Sequence, residues 1–438
     1  MTKRIYFLFM LMVVSVNLVA QDDVYPAKPY NGMLIIRNGT IHVGNGQVIE
    51  GGSIEVRQGK ITRVGKDIPV PADDVKVFDA KGRHIYPGLI LSNSNLGLVE
   101  INSVRATADF REIGELNPSV RSIVAYNADS KVINTLKTNG VLLANIVPQG
   151  GLISGSSSVV QLDAWNWEDA AYKTENGIHL RMPNLFNRPS AFFGQGGPRG
   201  IGGDADVVKR GLEQIEQVKK FFREAKAYSL TPGPKNTNLK MEAVQGLFNK
   251  TQKLFIHCDI VREMLVAIDF VKEFNFDVVI VGGSESYQIA ELLKSHDIAV
   301  ILNQMHSLPT QTHDDVDQPY KTPAMLHKAG VLFAINDEDG QHRGKNLPFN
   351  AGTAAAYGLG REAALSAITL HAAKILGISD RTGSIEVGKD ANIVISEGDI
   401  LDMRSSIITH AFIQGRQADL TDKHRQLYER YKTKYDLK

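Results

Sequence analysis

Three apolar runs in this chain end in side chains able to do chemistry. Residues 86–98 read YPGLILSNSNLGL and carry Asn93 and Asn95; residues 253–259 read KLFIHCD and end in His257, Cys258 and Asp259; residues 331–339 read VLFAINDED and end in Asp337, Glu338 and Asp339. Asn93, Asn95, Asp259 and Asp337 offer amide and carboxylate oxygens. That set suits a hard cation such as Ca²⁺ or Mg²⁺ if the fold brings all four together. His306, in QMHSLP just beyond another apolar run, is a further pocket candidate, set against the plainer reading of a loop histidine. Cys258 beside His257 invites a nucleophile reading, but consecutive strand residues point to opposite faces, which favours a buried structural thiol. The glycine-rich stretch PQGGLISGS over 148–156 lacks a Gly-Lys-Ser/Thr ending and runs into an apolar strand rather than a helix, so turn geometry explains it better than phosphate binding. Trp165 and Trp167 read as wedges against a core more readily than as a stacking platform for a ligand.

These residues need a frame that repeats. In the second half of the chain, strand and helix signals alternate. Residues 253–256 read as a strand, and Ile260, Met264, Leu265, Ile268, Val271 and Phe274 fall on one helical face. Residues 278–281 read as a strand, Ile289, Leu292 and Leu293 as a helix, and 298–302 as a strand. Residues 323–329 then read as a helix stopped at Gly330, and 331–335 as a strand. Repeated βα units with short connections predict a parallel sheet closed into a TIM-like (β/α)8 barrel. The first half is less regular: 140–145 reads as a strand, and 176–203, rich in Gly, Pro and Asn, as a long loop that could cover the active face.

Short alternating strands punctuated by Asn38-Gly39, Gly51-Gly52 and Gly59 fill residues 32–85, and a similar pattern returns in TGSIEVGKDANIVISEGD and THAFIQGRQADL. Both ends of the chain therefore build one composite β-sandwich, with the barrel inserted between them. The last stretch, from Thr421, reads as a solvated charged helix without chemistry.

At 438 residues the chain suits a large barrel with a satellite domain, and 43% hydrophobic against 22% charged residues allows a sizeable core. Forty-nine Lys plus Arg against 48 Asp plus Glu leave a net charge of +1, so no overall field recruits nucleic acid or anionic membrane. Lys3 and Arg4 precede an apolar run ending at Ala20 and followed by Gln21-Asp22-Asp23, the order of a secretory signal peptide, although Leu18 fits the small-residue rule poorly. The rival, an uncleaved anchor, needs about 20 apolar residues, and Ser15 and Asn17 interrupt this run. A periplasmic or secreted protein is expected, with no membrane span once the signal is removed. Its single cysteine, Cys258, excludes disulfides within the chain and a lipid attachment near the signal.

The YPGLI block, the segments from Ala363 to Thr369 and from Ala372 to Gly377, TGSIEVGKDANIVI over 382–395 and the closing Gly415-Arg416 resemble the amidohydrolase superfamily, in particular its imidazolonepropionase-like branch, over nearly the whole mature chain. The chain thus divides into a signal peptide over 1–20, sandwich segments over 28–85 and 379–420 and a C-terminal helix over 421–438, with the amidohydrolase-like barrel that the resemblance implies over 86–378. The resemblance also implies hydrolysis of carbon–nitrogen bonds, in a cyclic amide or related small molecule, by water activated on one or two divalent metals such as Zn²⁺. Bound Zn²⁺ lowers the pKa of water from about 15.7 to about 7.

Carried over residue by residue, the family's D-x-H-x-H-L block falls on Leu91-Ser92-Asn93-Ser94-Asn95-Leu96, so both histidine positions hold asparagine, whose neutral amide binds Zn²⁺ far less well than imidazole. The fifth-strand ligand falls on His257 or Asp259, the sixth-strand histidine on Gly282-Gly283, and the catalytic aspartate on Asp337 or Glu338; no lysine fills the bridging position. The expected activity is therefore altered or lost. As an enzyme the chain would use Asp337 or Glu338 as general base and His257 as ligand or electrophile, with a pocket formed by Asn93, Asn95, His257, Asp259 and His306. As a non-catalytic protein it would keep the pocket for a ligand or serve as a subunit beside an active relative. Barrels of this family often dimerise.

Overall fold

A computed structural model describes residues 24–437 except 73, 186–203, 231, 232, 234, 235, 304, 312 and 338–340. The signal-peptide reading, residues 186–203 of the proposed lid over 176–203, and Glu338 therefore lie outside the described residues.

The N-terminal strands are β1 (Met33–His42), β2 (Val48–Arg57), β3 (Lys60–Gly65), β4 (Val75–Asp79) and β5 (His84–Pro87). The barrel strands are β6 (Leu89–Ser94), β7 (Val141–Ile146), β8 (Ile153–Gln161), β9 (Ala171–Arg181), β10 (Lys253–Cys258), β11 (Val278–Gly282), β12 (Ala299–Leu302) and β13 (Phe333–Ile335). Strands β14 (Ile393–Ser396), β15 (Ile408–Ile413) and β16 (Arg416–Gln417) close the chain's β content. In the composite module the hydrogen-bonded order is β16-β15-β14-β5-β1-β2-β3, with β4 also on β1, so β14 from the C-terminal end pairs directly with β5 from the N-terminal end. Ile36, Ile54, Ile85, Ile393 and Phe412 give this module a core of its own.

The barrel sheet runs β13-β12-β11-β10-β9-β8-β7-β6. Its strands from β9 to β13 are parallel, as is the β6–β7 pair, and the helix over Val261–Phe274 buries Met264, Ile268 and Phe274 between β10 and β11. Strand β6 is buried along its whole length, as expected for a strand covered on both faces. Among the described residues no helix is long and apolar enough to cross a membrane.

The structure departs from an all-parallel sheet in its first half. Strand β8 runs antiparallel to both β7 and β9. Gly150 and Gly151, with φ of +95° and +62°, turn the chain straight back after β7, and a Cβ on Gly151 would stand 2.5 Å from the carbonyl oxygen of Gly114. With no helix between them, β7 and β8 can pair only as a hairpin. The expected loop from 176 also begins later than its composition suggests, since β9 continues to Arg181. Buried Ile178 and Leu180 alternate along it, and Gly177 leaves room for the Phe255 ring of β10. Leu265, expected on the buried helix face, is 44% exposed.

The path from β13 to β6 does not close by strand pairing among the described residues. Two other contacts span the seam. The amide N–H of Ile90 donates to the carbonyl of Ile368 at 2.9 Å, and further along β6 the side chain of Asn336 takes over. Sandwich and barrel are fastened by His42 Nδ1 against Glu362 Oε1 at 2.7 Å and by the Tyr172 hydroxyl donating to Asp390 Oδ2 at 2.5 Å.

Candidate functional site

Each candidate residue sits at or just past the carboxyl end of a barrel strand, where this architecture places its chemistry. Asn93 lies in β6, 2% exposed. Its backbone N–H donates to Asn336 Oδ1 at 3.0 Å, and Asn336 Nδ2 donates back to the Asn93 carbonyl at 2.8 Å. Asn336 thus mimics a neighbouring strand with its side-chain amide. The Asn93 side chain places Nδ2 3.5 Å from Asn303 Oδ1, and its own Oδ1 is buried without a hydrogen-bond partner. Asn95 follows β6, half-buried, and its carbonyl accepts the N–H of Leu98 at 2.9 Å.

His257, in β10, faces not an acid but another histidine. His179 Nδ1 and His257 Nε2 are 2.9 Å apart, and His179 is fully buried with its ring stacked on Phe255 at 4.8 Å. Burial, reinforced by Arg181, lowers the His257 pKa to about 3; burial, reinforced by His257, likewise lowers that of His179. Both rings are neutral near pH 7 and share one hydrogen between them, while His179 Nε2 has no partner. Cys258 is buried, and desolvation raises its pKa, as expected of a structural thiol.

Asp259, immediately after β10, accepts from Ser284 Oγ at 2.8 Å and lines a cavity of about 350 Å³ at the carboxyl ends of β10, β11 and β12. Gly282, Ser284, Asn303, Asp314 and Gln318 share that lining with apolar Leu302, Met305 and Leu308. Asp337 follows β13 and is 7% exposed; Asn350 Nδ2 donates to its Oδ2 at 3.0 Å. Burial pushes its carboxyl pKa up, against the opposing pull of Asn350, Arg343, His306 and His342. His306 is exposed. Its Nε2 meets Thr353 Oγ1 at 2.8 Å, and it borders a separate cavity with Tyr357, Arg361 and Asp399.

The predicted pocket set therefore divides. Asn93 is tied to Asn303 and Asn336, His257 to His179, Asp337 to Asn350 and His306 to Thr353; of the five pocket residues only Asp259 lines the cavity beside β11. Of the four oxygen donors considered for a hard cation, Asp259 accepts from Ser284, Asp337 accepts from Asn350, and the Asn93 amide lies against Asn303. Among the described residues no group of three His, Cys, Asp or Glu side chains is placed to hold a metal ion. The divalent metal implied by the family thus does not fit the donors present: two ligand positions carry amides, and the histidine that remains is engaged by a second histidine.

Asn336, Asn303, Asn350 and His179 escaped the sequence reading. His179 had a signal, since Ile178-His179-Leu180 sets a polar ring between two core aliphatics in an alternating run. Asn336 directly follows the apolar strand and precedes the acids that drew attention away from it.

Known proteins give this geometry its context. A model of the amidohydrolase family matches residues 251–420. The chain is 24% identical to an imidazolonepropionase of Mesorhizobium japonicum over 378 residues, covering 80% of this chain and 87% of that protein. It is 22% identical to the amidohydrolase tasK of Hapsidospora irregularis over 387 residues, covering 80% of this chain but only 38% of that longer protein. Among solved structures, an amidohydrolase from Thermotoga maritima superposes with a TM-score of 0.71 at 26% identity, covering 88% of this chain and 99% of that one. Barrel, composite β module and the match over residues 251–420 together support the amidohydrolase superfamily, and the imidazolonepropionase relatives support its imidazolonepropionase-like branch.

Proposed function

We propose that this chain is an exported, hydrolase-like barrel that binds a small molecule carrying a carbon–nitrogen bond at its mouth, and that hydrolysis by metal-activated water is altered or lost. The observation that carries this reading is that Asn93 and Asn95 stand where the family's first metal ligands would lie on β6, the Asn93 side-chain amide resting against Asn303 while Asn336 holds its backbone across the barrel seam. Water near pH 7 is a poor nucleophile unless a Lewis acid lowers its pKa, and the donors here do not supply a seat for one. The cavity beside Asp259 supports retained binding, because about 350 Å³ lies within the range of small-molecule sites, roughly 300–1,000 Å³. Export rests on the N-terminal sequence.

A second reading, residual catalysis, is favoured by Asp337. A carboxyl with a raised pKa, held by Asn350, is suited to take a proton from an attacking water or return one to a leaving nitrogen. His257 would then act as a neutral hydrogen-bonding group. A third role, as a subunit beside an active relative, would use the same fold without turnover.

Incubating the purified mature protein with cyclic amides and dipeptides, with and without Zn²⁺, Mn²⁺ or chelator, tests the proposal. Absence of metal-dependent turnover is expected. Turnover that chelation abolishes and metal restores would overturn it. Turnover insensitive to chelator but lost in Asp337→Asn would instead establish the second reading.

A further inference from the structure

Among the described residues, the charged side chains that line the cavity beside Asp259 are acidic. Asp259 reaches it from the end of β10 and Asp314 from the connection after β12, and among the described residues no Lys, Arg or His lines it. The Asp259 carboxylate occupies room that a side chain on Gly282 would claim: φ there is +105°, and a Cβ would stand 2.7 Å from Asp259 Oδ1. Asp314 is oriented by neutral donors, the Tyr287 hydroxyl at 3.3 Å and the Gln311 backbone N–H at 3.0 Å, which fix its carboxylate without cancelling its charge. Gln311 also donates, through Nε2, to Glu285 at 2.7 Å; Glu285 is buried and adds negative potential beside the cavity. Leu302, Met305 and Leu308 contribute hydrocarbon surface.

Two carboxylates and an apolar wall in one cavity match a ligand rich in N–H donors, positively charged and carried on a short aliphatic chain. We propose that this cavity binds a small organic cation, a primary ammonium or guanidinium compound. The proposal rests on the reading of the barrel mouth as the ligand site and names the charge class of its occupant.

Calorimetric titration of the full mature protein with agmatine and putrescine, and in parallel with neutral 1,4-butanediol, anionic glutarate and Ca²⁺, tests it. Saturable binding of at least one diamine-class probe is expected, weakened about tenfold or more in both Asp259→Asn and Asp314→Asn, with no binding of butanediol or glutarate. Circular dichroism confirms that each variant is folded, and Asp314→Asn, on a surface connection, keeps the test independent of the β10 end. Preferential binding of butanediol or glutarate, calcium binding that excludes the diamines, or diamine binding unchanged in both variants would overturn the charge assignment while leaving a ligand site at the barrel mouth. Failure of every probe would overturn both.

Discussion

Asn93 and Asn336 exchange two hydrogen bonds across the barrel seam, backbone N–H to Oδ1 at 3.0 Å and Nδ2 to backbone carbonyl at 2.8 Å, so that one side chain stands in for the missing strand pairing between β13 and β6. An amide is suited to this because it both donates and accepts. Imidazole at position 336 could not supply both bonds in this geometry, whereas position 93 contributes only its backbone.

Truncating Asn336 to alanine leaves the N–H and carbonyl of Asn93 unpaired in a buried strand. Each buried group left unpaired costs about 1–3 kcal/mol, so a loss of about 2–6 kcal/mol is expected in urea unfolding. A loss below about 0.5 kcal/mol would show that the seam is held elsewhere, for example by Ile90 and Ile368.

Replacing Asn93 and Asn95 together by histidine restores the family's imidazole pair on β6, while the Asn336 bonds survive because they use the backbone of residue 93. Zinc content after dialysis against buffered Zn²⁺ is expected to rise well above that of the parent protein. Unchanged content would contradict the alignment of β6 with the ligand strand.

The His179–His257 pair makes stability depend on pH. Both folded-state pKa values lie below the ordinary 6.5, that of His257 at about 3, so the unfolded chain binds protons that the folded one refuses. Their contribution is complete above about pH 6.5 and is lost as the pH falls toward the folded values, at up to about 1.4 kcal/mol per pH unit for each histidine. Urea unfolding at pH 7 and pH 5.5 should show this loss, and His257→Gln should reduce the difference. An identical pH difference in the variant would contradict the assignment.

Much of this frame was legible in the sequence. The parallel half was readable because Leu254–Ile256, Val278–Val281 and Ala299–Leu302 are short continuous apolar runs separated by a helical period, and the composite β module because alternating strands recur at both ends. The antiparallel β8 was hidden: direction depends on how tightly Gly150 and Gly151 turn, and strand residues look alike in either direction. At the site, the sequence showed which residue types had changed but not whom they would touch. The Asn336 clasp and the His179–His257 contact join residues 243 and 78 positions apart, a pairing that register creates and local pattern does not encode.

The first half of the barrel is tied down by a buried ion pair, Lys137 Nζ to Asp163 Oδ1 at 3.0 Å, while the N–H of Ala27 donates to the other carboxylate oxygen at 2.9 Å. Lys137→Met strands the carboxylate and should cost about 3–5 kcal/mol, whereas Lys137→Met with Asp163→Leu should recover part of that loss. A loss in the double variant equal to the sum of the Lys137→Met and Asp163→Leu losses, read by thermal unfolding, would show that the pair itself carries no coupling.

The central claim is that the amide pair at the mouth of β6 leaves no seat for a transition metal. Elemental analysis of the native protein, purified without chelator from metal-supplemented medium, tests it most directly. The account predicts far less than one Zn, Mn or Fe per chain and a melting temperature unmoved by chelator; one or two tightly held metals per chain, whose removal lowers that temperature, would contradict it.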